Sequence, residues 1–562
     1  EGNEQAAFRS MCAALSRLGV ANEGGGEIGE RLTPVTTKHQ GHLARPSARS
    51  RNVMWFSAIF GLAVIGLLLA MVLRPNDTPE KALNQAQGNK LNSSDDFIAL
   101  KENKTSLAVI PFRNIGPESE ENFLAEGMHE EIDAMLSMTP SLLVKNASRM
   151  KDTKLDPKAI GEALGVDSVL TGTVRQSEGQ LRVTVKLVDI RTETNIWAKT
   201  FDKMERDVFS MQREIAQSVA EGLKLELGQA QKQQQANRQT KSVEAYNLYL
   251  QGRKMWQTRT REGMRGSIEK FELALAKDPT FALAHVGIAD AYNQLVGYSY
   301  AAPKVASPKS EQQLIRALEI NSDLSEAYAS YGDVKLFFRW DWAGSEEAFK
   351  KAISINPNYP EARRWYSHFL LVSGRYQEAH EQIDIGIKLK SASPIMYFGK
   401  AVIFLREKKF ELAKELSMKM ISVDPNYVMG LHTLALSEFG LGNLEESLKL
   451  ANQGLSKFPN YSQYMVAKMM ALNRLGRLAE AELIRDALFK RQETDLVPSM
   501  TLARAEYYVG NMDEAVLKLE QAYEDRNIQL FPFDPRQLFD KLNGNQRFDT
   551  IWEKVGLPEF VE

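Results

Sequence analysis

The sequence predicts a multidomain chain: a single transmembrane helix, an α/β domain and an all-α repeat solenoid. Three observations predict it. Val53 to Leu73 is a 21-residue run without a charged residue. Short apolar runs alternate with amphipathic stretches from Ser106 onward. Beyond about residue 242 the same residue types return every 34 positions.

The apolar run comes first. At helical rise, 21 residues reach roughly 31 Å, enough for a hydrocarbon core of ~30 Å. Arg31, Lys38, Arg45, Arg49 and Arg51 precede it without an intervening acid, whereas Asp77 and Glu80 follow closely. That asymmetry places residues 1–52, a largely flexible segment, in the cytoplasm. Everything after residue 73 is then exported, and the expected location is a bacterial inner membrane, single-pass, with the C-terminal domains periplasmic. Ser57/Gly61 and Gly66/Ala70 are small-residue pairs at helical spacing that would support a homodimer.

Composition narrows the function. Lys and Arg total 70 against 72 Asp and Glu, with no basic cluster after the span, which argues against nucleic-acid binding by the exported part. Cys12 is the only cysteine, so intrachain disulfides and cysteine-based metal sites are excluded. The first residue is Glu1, and a longer protein is expected.

Residues 74–104 read as a polar linker with too few large apolar side chains for a core. An α/β domain is expected over residues 105–228. Leu107 to Phe112, Leu142 to Val144, Val169 to Val174, Leu181 to Val188 and Ile196 to Phe201 have strand patterns. Asn122 to Ser137, Pro157 to Leu164 and Arg206 to Leu225 read as helices, the middle one opened by proline. The stretches LAVIPFRNIGPESEENFLAEGMHEEIDAMLS and IGEALGVDSVLTGTVRQSEGQLRVTVKLVDIRTETNIWAKTFDK resemble the TolB N-terminal-like (FlgO-like) domain. That resemblance implies a membrane-anchored bacterial regulator of the kind labelled CadC-like or adenylate cyclase.

Residues 229–241 are a Gln-rich linker. The repeat follows over residues 242–530, with residues 531–562 as its cap. Gly374, Lys408, Gly442, Gly476 and Gly510 mark one turn, and Ala379, Ala413, Ser447, Ala481 and Ala515 follow each by five positions. Pro357, Ser391, Pro425 and Pro459 mark the other turn. The pattern resembles the tetratricopeptide repeat, in which small residues let paired helices approach and proline ends the second. About eight units are expected, one with an insertion around Tyr298 to Ser310.

No catalytic signature appears. The seven histidines show no metal-ligand spacing, and Gly24 to Gly26 lack the Gly-Lys-Ser/Thr of a phosphate loop. The chain therefore reads as non-enzymatic, with no cofactor and no metal. The acid pairs Glu130-Glu131 and Glu346-Glu347 read as solvated helix faces, and Trp340 and Trp342 as turn packing. Projection of the repeat places Arg364, His368, Phe398, Arg406 and His432 near a concave groove, where they would suit a peptide with an acidic group. The leading expectation is a membrane-anchored receptor or adaptor in signalling or transcriptional regulation, with protein or peptide partners. Two alternatives stand beside it: an envelope scaffold, or the regulatory part of a cyclase or kinase whose catalytic domain precedes Glu1.

Overall fold

In a computed structural model of the chain, the described residues are 105–115, 123–139, 141–147, 156–225, 240–390, 393–530 and 535–557. The sheet region comes first. Strands β1 (Thr105–Val109), β2 (Arg113–Asn114), β3 (Leu142–Asn146), β4 (Ser168–Ser177), β5 (Gln180–Asp189) and β6 (Thr194–Met204) form one sheet in the order β3-β1-β4-β5-β6, with β2 also on β4. The β3, β1 and β4 pairings are parallel, and β4, β5 and β6 are antiparallel. Glu178 and Gly179 both have positive φ, the backbone a two-residue hairpin turn requires between right-twisted strands. On β5, Leu181, Val183, Val185 and Leu187 alternate inward, as a strand covered on one face dictates.

Helices α1 (Phe123–Ser137) and α3 (Val208–Gly222) pack together over one face of the sheet. Helix α2 (Pro157–Leu164), capped by Asp156, places Ile160 and Leu164 in a separate small cluster with Val169 and Ile190.

Eight helical hairpins follow among the described residues. They are α4 (Val243–Gln257) with α5 (Arg261–Lys277), α6 (Ala282–Gly297) with α7 (Pro303–Ile320), and α8 (Ser325–Val334) with α9 (Trp342–Ile355). Next come α10 (Pro360–Val372) with α11 (Tyr376–Leu389), α12 (Pro394–Arg406) with α13 (Phe410–Val423), and α14 (Val428–Gly440) with α15 (Leu444–Lys457). The last two are α16 (Gln463–Arg474) with α17 (Leu478–Gln492), and α18 (Ser499–Val509) with α19 (Met512–Glu524). Short helices α20 (Pro535–Leu538) and α21 (Gln546–Val555) close the chain. The expected insertion around Tyr298 to Ser310 is mostly helix, because Pro303 opens α7 and Pro308 is accommodated inside it.

The period has a backbone cause. Gly374, Lys408, Gly442, Gly476 and Gly510 all turn through the left-handed region, and so do Trp340 and Gly544, one period to either side. Ala379, Ala413, Ser447, Ala481 and Ala515 are buried to 1% exposure or less, where a larger side chain would hold the helices apart. Lys408 alone among the five loop residues carries a Cβ into the left-handed region, at a cost of ~1–2 kcal/mol. Lys408→Gly is therefore expected to raise the unfolding free energy by about 1 kcal/mol, read from the urea midpoint.

The array closes on itself. Arg261 pairs with Asp495 at 2.8 Å, and Gln529 donates to Ser299 at 3.4 Å. The Arg526 guanidinium lies 3.7 Å over the Trp340 ring, and Tyr523 packs beside it at 5.1 Å. The sheet region is not a separate body: one hydrophobic core runs from Leu107 through α1 and α3 into the repeats as far as Val334. Residues 105–562 form one compact unit.

The fold class needs one correction. No helix among the described residues is long and apolar enough to cross a membrane. The longest, α7, has 18 residues and carries Lys304, Lys309, Glu311, Arg316 and Glu319. Val53 to Leu73 lies outside the described residues, as do residues 1–52, residues 74–104 and most of the Gln-rich linker. The single transmembrane helix is thus unsupported, and the fold is a mostly helical, tetratricopeptide-like solenoid with a small sheet region.

Candidate functional site

The turn before each first helix sets the site. Pro-Asn-Tyr recurs at residues 357–359, 425–427 and 459–461, and it starts the helix with tyrosine at the edge of the concave face. Tyr359, Tyr427 and Tyr461 line a chamber of about 820 Å³. Such a volume falls in the range of small-molecule and short-peptide sites. Helices α4, α6, α8 and α10 contribute Arg253, Trp256, Asp290, Asp333, Glu361 and Arg364 to its wall. Helix α1 adds Glu126, His129, Glu130 and Asp133, and the turns between the repeats add the rest.

Helix α1 is held there by specific contacts. Asn358 Nδ2 donates to the carbonyls of Ser137 and Leu142 at 3.0 and 2.8 Å. Gln257 Nε2 donates to Glu130 Oε1 at 3.1 Å, and beside α1 the α3 residue Gln212 donates through Nε2 to the Tyr246 hydroxyl of α4 at 3.0 Å. Leu250 fills the space a Cβ on Gly127 would need. Glu130 and Glu131 are therefore not a solvated face: they look into the repeats, and Glu131 is only 5% exposed. Glu346 differs as well, being bound by Arg375, Lys350 and the Tyr366 hydroxyl, with Arg375 holding its carboxyl down at about 2 against the opposing effect of burial.

The electrostatics follow from burial. Desolvation pushes Asp290 up to about 6 and Asp333 up to about 7, although Arg253 and Arg364 respectively oppose it. Ser330 Oγ donates to Asp290 at 2.5 Å. Burial pulls Arg364 and Arg259 below the ordinary guanidinium range.

Of the residues projected onto the groove, Arg364 lines the chamber, with its guanidinium 3.7 Å over the Trp365 ring. His368, Phe398, Arg406 and His432 are not in its lining. His368 stacks on Trp365 and packs against Phe337, and burial, with Arg364 and Arg406, pulls it down to about 3. His432 sits edge-on to Tyr461 and Tyr464, likewise drawn down to about 3 by burial and Arg504. Phe398 packs with Ala401 and Met420 in a small apolar cluster, and Arg406 is 7% exposed. The structure thus gathers Arg364, His368 and Arg406 together and sets His432 apart. Sequence reasoning missed Arg253, Trp256, Arg259, Asp290 and Asp333, which lie in the units where the 34-residue spacing is loosest. The Pro-Asn-Tyr recurrence marks the chamber's tyrosines, and no sequence signal marks these five residues. Among the described residues, no group of three or more His, Cys, Asp or Glu is placed to hold a metal.

Residues 103–218 match the second domain of HilA/YgeH-like transcriptional regulators. This stretch covers the sheet region, where the sequence had suggested a TolB N-terminal-like domain; that narrower resemblance is not supported. A putative adenylate cyclase 3 of Rhizobium meliloti (strain 1021) is 28% identical over 239 residues, which are 41% of this chain and 39% of that protein. The chain thus spans about two fifths of that curated relative. Among solved structures, YrrB, described as a TPR protein with an unusual peptide-binding site, is 16% identical at a TM-score of 0.25, covering 35% of this chain and 97% of YrrB. Yeast Tom70 is 13% identical at a TM-score of 0.36, over 63% of this chain and 80% of Tom70.

Proposed function

We propose that this chain is a non-enzymatic adaptor of a bacterial regulatory system, whose repeats hold a segment of a protein or peptide partner in the chamber. One observation carries the reading. Helix α1 of the sheet region and the repeats build the chamber jointly, so an occupant that fills it touches both. A partner that binds one arrangement of the two better than another would shift their balance, which is what a regulatory input requires. The match to HilA/YgeH-like regulators and the relative labelled adenylate cyclase support a signalling or transcriptional role. In this reading an acidic group on the peptide meets Arg364, with His368, Phe398, Arg406 and His432 supporting the array behind it.

A peptide-display selection on the whole chain tests the reading, with Ala134→Trp as a variant that fills the chamber from α1. Selected peptides are expected to bind the parent chain in calorimetry and to bind Ala134→Trp at least tenfold more weakly. Equal binding to both would move the partner site to the outer surface and refute the proposal, as would failure to select any peptide.

A further inference from the structure

Many exposed arginines of this protein meet acids, whereas Arg363 and Arg504 donate to carbonyl and amide oxygens. Arg182 meets Asp202, Arg375 meets Glu378 and Arg477 meets Glu480, all at 2.6 Å. The three arginines of the chamber behave differently. Arg253 comes from α4, Arg259 from the turn after it, and Arg364 from α10. Among the described residues none of them has a carboxylate within ion-pair distance, and Arg253 Nε, Arg259 Nη1 and Arg364 Nε are buried without a hydrogen-bond acceptor. Their flat faces are used instead. Arg253 and Arg259 lie 4.6 and 3.9 Å over the Trp256 ring, and Arg364 lies 3.7 Å over Trp365. Stacking occupies a guanidinium's face and leaves its N–H edge for a ligand.

This arrangement is costly. Arg259 has φ of 58°, left-handed backbone that a side chain disfavours. Burial depresses Arg259 and Arg364, with smaller contributions from Arg253 on the first and Arg259 on the second, whereas Tyr249, Glu130 and Asp290 raise Arg253 against burial. Burying three guanidinium groups without a direct ion pair is unfavourable. The neighbouring carboxylates only partly serve. Glu361 is held by Lys390 at 2.7 Å and Glu130 by Gln257, while burial biases Asp290 and Asp333 toward their neutral forms.

We infer that Arg253, Arg259 and Arg364 form a receptor for a phosphate monoester, carried either by a phosphorylated residue of the bound peptide or by a small phosphate ester. This deepens, and rests on, the reading of the chamber as a binding site. A phosphate dianion offers three oxygens and nearly two charges to three guanidinium forks. A carboxylate offers two oxygens and one charge, and so leaves one of the three guanidinium edges without an acceptor.

Calorimetric titration of the whole chain with inorganic phosphate, O-phosphoserine and glutamate tests the inference. Both phosphate probes are expected to bind, with glutamate at least tenfold weaker. A selected peptide carrying phosphoserine that binds more tightly than O-phosphoserine would assign the group to a phosphorylated residue; binding no tighter would assign it to a small ester. Arg259→Gly and Arg364→Met are each expected to weaken phosphate binding tenfold or more. The first keeps the fold in hand, because glycine suits the backbone at 259; unchanged circular dichroism checks it. Glutamate binding as tightly as O-phosphoserine, or phosphate binding unchanged in Arg259→Gly, would overturn the inference. Selected peptides that bind in the chamber while no phosphate probe binds would overturn it and leave the adaptor reading standing. Failure of peptides and probes alike would remove both.

Discussion

Trp340→Ala is expected to lower the unfolding free energy by about 3–5 kcal/mol, the usual cost of truncating a buried large aromatic. Trp340 ends the turn between α8 and α9, yet its ring contacts the far end of the array: the Arg526 guanidinium at 3.7 Å and the Tyr523 ring at 5.1 Å. Most repeat arrays gain stability from nearest neighbours only. Here the ring links hairpins far apart in sequence, alongside the Arg261–Asp495 pair. The variant should therefore lose closure as well as stability, with a larger radius of gyration in solution scattering and earlier unfolding of the last hairpins. The backbone makes a second comparison informative. Trp340 has φ of 58°, so Trp340→Gly should recover about 1 kcal/mol relative to Trp340→Ala. A Trp340→Ala protein within 1 kcal/mol of the parent would show that the ring does not hold the array closed.

Asn358→Ala should cost about 2–4 kcal/mol and loosen the sheet region from the repeats. The side chain is 7% exposed and donates to two carbonyls, those of Ser137 and Leu142. Each buried acceptor left without a donor costs ~1–3 kcal/mol. Hydrogen exchange should accelerate over α1 and β3 while α16 to α19 keep their protection. Asn426 and Asn460 occupy the same place in the Pro-Asn-Tyr turn but are exposed, so Asn426→Ala should be close to neutral. Equal effects at 358 and 426 would mean that the turn, and not the junction with α1, sets the cost.

These comparisons mark how far the sequence reaches. Local rules made the secondary structure legible. Proline at the first turn placed α2, alternation placed β5, and the 34-residue spacing placed the turns of the last five hairpins. Each depends only on a residue's own backbone preferences or on burial of one face. The candidate site was legible only in part. Arg364 falls on the chamber wall because the repeat projects it there, whereas His368, Phe398, Arg406 and His432 are absorbed into helix packing. Arg253 and Arg259 were invisible because the first hairpin departs from the regular spacing. Glu131 was misread for a related reason: its helix looks amphipathic in isolation, and its polar edge is covered only when the repeats fold over it.

The sequence by itself determined five of the six strands, the helices of the sheet region and the 34-residue repeat, because dihedral preference and the period of apolar residues are properties of short stretches. The tertiary structure alone decided three further things: that the array closes through Trp340 and Arg261, that α1 forms part of the chamber wall, and that three arginines share one buried space. Each joins residues far apart in the chain, and no local pattern records which distant surface a side chain will meet.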